Sequence, residues 1–189
     1  MKIERPAPGE YNPAFERYVS RVPEDDALPV LVRQPAQVRA ALESISGERA
    51  GFRYGPGKWS IREVVGHFTD AERVFGFRTL TFARGDKTPL PSFEENDYAA
   101  IAGHDRYALP DLVAEFEALR RSNVSMFGHL DPAAVARVGT ANGSPVSVRA
   151  IAFIMAGHVR HHLGVLASKY GVKVAAKSRG PEPRVLTLA

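Results

Sequence analysis

Four stretches of the chain repeat apolar residues at the three- and four-residue spacing of an α-helix, and almost none alternates as a strand does. That pattern predicts an all-α fold. The first stretch covers about residues 27–46, with Leu28, Leu31, Val38, Leu42 and Ile45 as its stripe; Pro35 inside it is expected to kink or split it. The second opens at Ser60, which forms an S-x-x-E capping box with Glu63, and continues to about Arg84. The third starts near Pro110, whose missing N–H costs nothing in a first turn, and runs to about Leu130. Ser147 opens the fourth, which ends at Tyr170 with Gly171 placed after it as a cap. A short helical patch is expected over about residues 94–102, and a second one, with the turn-like Asn142-Gly143-Ser144-Pro145, over 131–145. Long helices joined by connections of unequal length predict a four-helix bundle in which at least one link crosses over.

Prolines and glycines crowd both ends: Pro6, Pro8, Gly9, Pro13 and Pro23 at the start, Gly180, Pro181 and Pro183 at the close. Residues 1–25 and 172–189 are therefore expected as irregular arms around a bundle of residues 26–171. The 189 residues, 44% of them hydrophobic, suit one domain with a sizeable core. Cysteine is absent, which excludes disulfides, thiolate metal sites and cysteine nucleophiles, so any metal must be held by His, Asp or Glu. The net charge of +4 comes from interspersed signs without a basic run, which points away from a nucleic-acid partner. No apolar leader follows the N-terminal charges and no stretch approaches a membrane span, so a cytoplasmic protein without a membrane partner is expected.

Three of the six histidines fall in one turn of the fourth helix: His158, His161 and His162. At 100° per residue, Arg149 and Arg160 mark one side as wet, and His158 lies about 180° from Arg149. Ile151, Met155, His162 and Val165 surround the same inward direction, with His161 about 60° off it. His158 and His162, four residues apart, can thus bind one metal between them. On the second helix Arg62, Thr69 and Arg73 are taken as wet, which leaves His67 at the edge of the face made by Val64, Phe68, Ala71 and Phe75. Three imidazoles and one free position would form a catalytic type of centre for zinc, nickel or a related ion. The spacing equally suits hydrogen-bonded core histidines.

The run Lys58-Trp59-Ser60-Ile61-Arg62-Glu63-Val64-Val65-Gly66-His67-Phe68-Thr69-Asp70-Ala71-Glu72, followed some ninety residues later by Ala156-Gly157-His158-Val159-Arg160-His161-His162, resembles the DinB/YfiT-like superfamily of bacterial metal-binding proteins. The resemblance spans about residues 27–170. It implies a four-helix bundle of up-down-down-up order, often a homodimer, whose divalent ion is held by His67, His158 and His162. His161 matches a further histidine common in that helix, with a supporting or surface role. Members include thiol S-transferases that use bacillithiol or mycothiol, a thiol-dependent isomerase, and others named as hydrolases.

The chemistry expected of such a centre is activation of a low-molecular-weight thiol or a water against a small-molecule substrate, with zinc or nickel as the ion; these residues do not choose between transferase and hydrolase. The alternative is a non-catalytic, metal-binding or dimerising stress-related bundle. Asp70 and Glu72, just after His67, are candidates to orient a ligand, though a solvated surface suits each as well. The acidic residues 94–97 open a patch placed to cover a pocket mouth, or serve simply as caps. His104 and His129 are expected at the surface, and Trp59 as a packing anchor.

Overall fold

Helix α1 (Glu16–Val19) is a single turn; the long helix α2 (Leu28–Leu42) follows, then a second single turn, α3 (Gly47–Ala50). The computed structural model describes residues 1–174 of the chain. Pro35 does not split α2, because Leu31, Gln34 and Val38 are buried around it and packing holds the helix across the missing hydrogen bond. The expected continuation to residue 46 does not form: α2 stops at Leu42, and Ser46 instead caps α3.

The second long helix, α4 (Ile61–Ala83), starts at the Ser60–Glu63 capping box, in which the Glu63 amide donates to Ser60 Oγ at 3.1 Å and the Ser60 amide to Glu63 Oε2 at 2.8 Å. Helix α5 (Glu95–Ala102) fills the predicted patch and leads through a 3-10 turn, His104–Arg106, into α6 (Leu109–Gly128), with Pro110 in its first turn. Helix α7 (Pro132–Ala136) precedes strands β1 (Val138–Ala141) and β2 (Ser144–Ser147), and α8 (Val148–Tyr170) closes the bundle. The hairpin is a departure from the helical reading. Asn142 and Gly143 form its turn, both with positive φ (50° and 68°), the conformation that a two-residue hairpin connection requires. Four-residue strands containing Gly139 and Pro145 carry too little alternation to be read as strands.

Side-chain pairs fix the helix directions. Phe68 meets Phe116 and Glu72 meets Arg120, so α4 and α6 run parallel. Arg39 meets Glu117 and Gln34 meets Arg120, which sets α2 antiparallel to α6. His67 meets His162 while Phe75 meets His158, so α4 and α8 are antiparallel, and the order is up-down-down-up. Gln34, Glu72 and Arg120 tie all four helices at the centre. Arg120, fully buried, donates from Nε and Nη2 to the two Glu72 oxygens at 2.7 and 2.8 Å and from Nη1 to Gln34 Oε1; Gln34 Nε2 donates to Ala156 O at 2.6 Å.

The first twenty-five residues, irregular for much of their length, lie on the bundle. Ile3, Tyr18, Val19 and Val22 are buried. Arg149 and Arg160, expected to face solvent, are covered by this segment: Arg149 is paired with Glu10, and Arg160 with Glu24 at 2.7 Å. Gly157 permits the close approach of α1, since a Cβ there would sit 1.9 Å from Tyr18 O. Helix α8, contrary to the sequence expectation, is long and apolar enough by composition to cross a membrane (mean hydropathy 1.2); its apolar character is that of a core helix, with 72% of that stretch buried. Of the expected C-terminal arm, Val172 is buried and its amide donates to Leu166 O at 3.1 Å, whereas Gly180, Pro181 and Pro183 lie outside the described residues.

Candidate metal centre

His67 on α4 and His158 and His162 on α8 meet in the interior, 6%, 5% and 8% exposed. Nε2 of His158 lies 3.1 Å from Nε2 of His67 and 3.1 Å from Nε2 of His162. Ligand bonds of 2.0–2.1 Å at octahedral or tetrahedral angles put donor nitrogens about 2.8–3.4 Å apart, so the spacing suits one cation between the rings. The proton count points the same way. A neutral imidazole has one N–H, and His158 Nε2 is either a donor or an acceptor, so it cannot make a full hydrogen bond with both neighbours. Among the described residues no carboxylate joins the cluster.

Burial dominates the acid–base character of all three. His67, also repelled by the charged forms of His104 and His161, is pushed down to about 4. Burial first, and the neighbouring imidazoles after it, hold His158 and His162 well below the ordinary histidine range. The rings are therefore neutral at pH 7, the state in which imidazole ligates metal. Their orientations are fixed by aromatic neighbours: Trp59 lies 4.7 Å from His67, and Tyr18 packs edge-on against His158 at 5.1 Å.

A cavity of about 200 Å³ opens against His67 and His158. The N-terminal segment contributes Asn12, Phe15 and Tyr18 to its wall, α4 contributes Phe75 and Arg78, and the segment before α5 contributes Phe93. Leu90 docks that segment on the hairpin, its amide donating to Thr140 O at 2.9 Å. Glu95, from the acidic patch, also reaches the cavity wall.

Other candidates fall elsewhere. Glu72 is neither solvated nor aimed at a ligand; it is buried as the partner of Arg120. Asp70 is half-buried beside Arg73 at 3.4 Å and His104 at 3.8 Å, and burial raises its pKa. His104 is buried rather than at the surface, because its ring fills the socket left by Gly66, where a Cβ would come within 2.3 Å of it. His129 is exposed, as expected. His161 is half-buried, 5.5 Å from Tyr18 and 5.0 Å from His162. Thr69, taken as wet, is buried and donates to Val65 O at 2.8 Å. Arg78 and Tyr18 were not singled out from the sequence. For Arg78 a signal exists: eleven residues are three helical turns, which returns it to the face of His67. Tyr18 lies among prolines that give no periodicity to read.

Known proteins converge on the same core. A "Putative metal-dependent hydrolase" of Geobacillus thermodenitrificans is 33% identical over 76 residues; the match spans 40% of this chain and 42% of that protein's length. The solved structure of YfiT from Bacillus subtilis, described as a probable metal-dependent hydrolase with an unusual four-helix bundle topology, superposes with a TM-score of 0.69. It is 18% identical, over 78% of this chain and 87% of that one, and shares the fold. The DinB superfamily model matches residues 31–166, a span that takes in most of each of the four long helices and each of the three converging histidines, and the chain belongs to that superfamily.

Proposed function

We propose that the protein is a metal-dependent enzyme that activates water against a small-molecule substrate held in the cavity beside His67 and His158. The observation that carries this reading is the convergence of three buried, neutral Nε2 atoms, those of His67 and His158 at the wall of a cavity and that of His162 behind them, with no carboxylate among the described residues to close the set. A divalent cation held by three neutral imidazoles keeps its full charge and lowers the pKa of a water or thiol at its remaining position. The chain supplies the rest. Burial keeps the imidazoles unprotonated, Trp59 and Tyr18 hold two of the rings in place, and Phe15, Phe75 and Phe93 give the cavity an apolar part to its wall. Names of the relatives favour water as the nucleophile; a low-molecular-weight thiol would use the same position for transfer.

Metal content per chain of untagged protein, measured by elemental mass spectrometry, tests the reading. Wild type is expected to hold about one divalent ion, with zinc or nickel as the leading candidates, and His67→Ala, His158→Ala and His162→Ala to lose it while remaining folded. Wild type that is empty and refuses added zinc and nickel overturns the proposal; unfolding of the variants on metal loss assigns the ion a structural role instead. Ester hydrolysis and thiol addition to an electrophile, assayed on the loaded protein, then separate the two nucleophiles.

A further inference from the structure

Arg78 is 7% exposed on α4, and among the described residues it has no carboxylate partner. Its one hydrogen bond runs from Nη2 to Pro91 O at 2.8 Å, and its guanidinium carbon lies 5.9 Å from the centre of the Phe75 ring. A guanidinium carries five N–H donors in a planar fork, so a single carbonyl leaves most of this group unused. Arg120, fully enclosed, shows the usual solution: its fork closes on a carboxylate. Arg78 instead faces the cavity that also touches His67 and His158. Burial alone pulls its pKa below the ordinary arginine range, with no neighbouring acid opposing the effect. Glu95 lines the same cavity, but its charge acts on the Tyr18 phenol.

We propose that the substrate carries a carboxylate, which docks on the guanidinium fork of Arg78 and directs the rest of the molecule toward the three histidines. This deepens the proposed function and rests on the cavity being its substrate site. The geometry restricts the molecule further. Arg78 follows His67 by eleven residues, about 16 Å along the axis and about 20° from the same face, and its side chain leans toward the N-terminal end of α4, where His67 lies. Phe75 stands between the two ends, its ring centre 5.9 Å from the Arg78 guanidinium carbon and 6.2 Å from the His158 ring centre, so the substrate carries its anion at one end, its reacting bond no more than about 12 Å away at the other, and an apolar body against Phe75, Phe15 and Phe93. Arg17 and Glu95, which also line the cavity, carry opposite charges, so the enclosed guanidinium of Arg78 is left to balance one negative charge, which favours a carboxylate over a dianionic phosphate.

Benzoate, its neutral counterpart benzamide, and phenyl phosphate are the probes. Each is titrated by NMR into the full chain of wild type, metal-loaded and chelator-stripped, and into Arg78→Met and Arg78→Lys. Benzoate is expected to bind loaded and stripped wild type alike, at least about tenfold more tightly than benzamide, and to lose about tenfold or more in Arg78→Met. Arg78→Lys keeps the charge without the fork and is expected to weaken benzoate by about threefold or more; it decides the matter should Arg78→Met fail to fold. Metal content and helical circular dichroism are expected to be unchanged in both variants.

Benzoate binding that disappears on stripping would seat the carboxylate on the metal and overturn the proposal. Equal affinity for benzamide, tighter binding of phenyl phosphate, no binding to wild type, or indifference to Arg78 substitution would also overturn it. Because the stripped arm contains no metal, failure of the metal reading stays distinguishable from failure of the anion site.

Discussion

Two polar clusters lie inside the bundle within a few residues of one another along α8. Around Met155 and Ala156, Arg120, Glu72 and Gln34 satisfy one another: each Glu72 oxygen accepts from Arg120, Asn123 Nδ2 adds a bond to Glu72 Oε1 at 2.9 Å, and Gln34 completes the chain to the Ala156 carbonyl. Around His158 and His162, by contrast, three nitrogens converge with too few protons to satisfy them. Both clusters are buried and both join helices. A closed hydrogen-bond inventory marks the first as scaffold, and an open one marks the second as a place for a ligand.

The comparison breaks most visibly at Arg120. Arg120→Met leaves a buried carboxylate without its partner, and urea unfolding is expected to show a loss of about 3–5 kcal/mol; adding Glu72→Met is expected to restore most of it. Metal content per folded chain should not change. Loss of metal at unchanged stability would instead make the first cluster part of the site.

Acid tests the second cluster in metal-free protein. His67 has a folded-state pKa of about 4 against 6.5 in the unfolded chain, so between those values the unfolded chain binds more protons. Stability is therefore expected to be fully present above about pH 6.5 and to fall as the pH drops toward 4, by on the order of 3 kcal/mol from this group. His67→Gln should flatten that part of the profile in chemical denaturation. A slope unchanged by the substitution would mean that His67 is not the group being protonated.

Gly157→Ala sharpens the contrast from outside. Its Cβ would collide with Tyr18 O, so α1 is expected to lift from α8 at a cost of about 1–3 kcal/mol, with faster proteolysis before residue 25 and metal content retained. The smallest effect is expected for Asp70→Asn. Its partners are Arg73 and His104, and stability should change by no more than about 0.5 kcal/mol with metal affinity unmoved. A tenfold loss of metal affinity there would extend the open cluster to Asp70.

Much of the scaffold was legible in the sequence because it is local. The Ser60–Glu63 box, the Ser147 cap and the apolar stripe of α8 each need only neighbours within a turn or two, and the pairing of His158 with His162 follows from their spacing on one helix. Periodicity also turned His67 inward. It misjudged Thr69 and Glu72 for one reason: a helix enclosed on several sides has no single dry stripe, and α4 is covered by α6 and α8, by α5, and by the turn whose His104, expected at the surface, packs into it. Arg149 and Arg160 follow the same rule on α8, where the N-terminal segment covers the face that their charge had marked as wet.

The sequence by itself determined the four long helices, the Ser60 and Ser147 caps, the exclusion of thiolate chemistry and the pair His158 and His162 able to share an ion, since these depend on residue type and short-range spacing. Tertiary structure decided the rest: that Glu72 belongs to Arg120, that a proline-rich segment seals the bundle through Tyr18 and Gly157, and that Arg78 enters the cavity without a counter-ion. Those outcomes depend on which groups meet across 40 or more residues of chain. Burial and the pairing of charge are properties of the packed interior, and no local pattern encodes them.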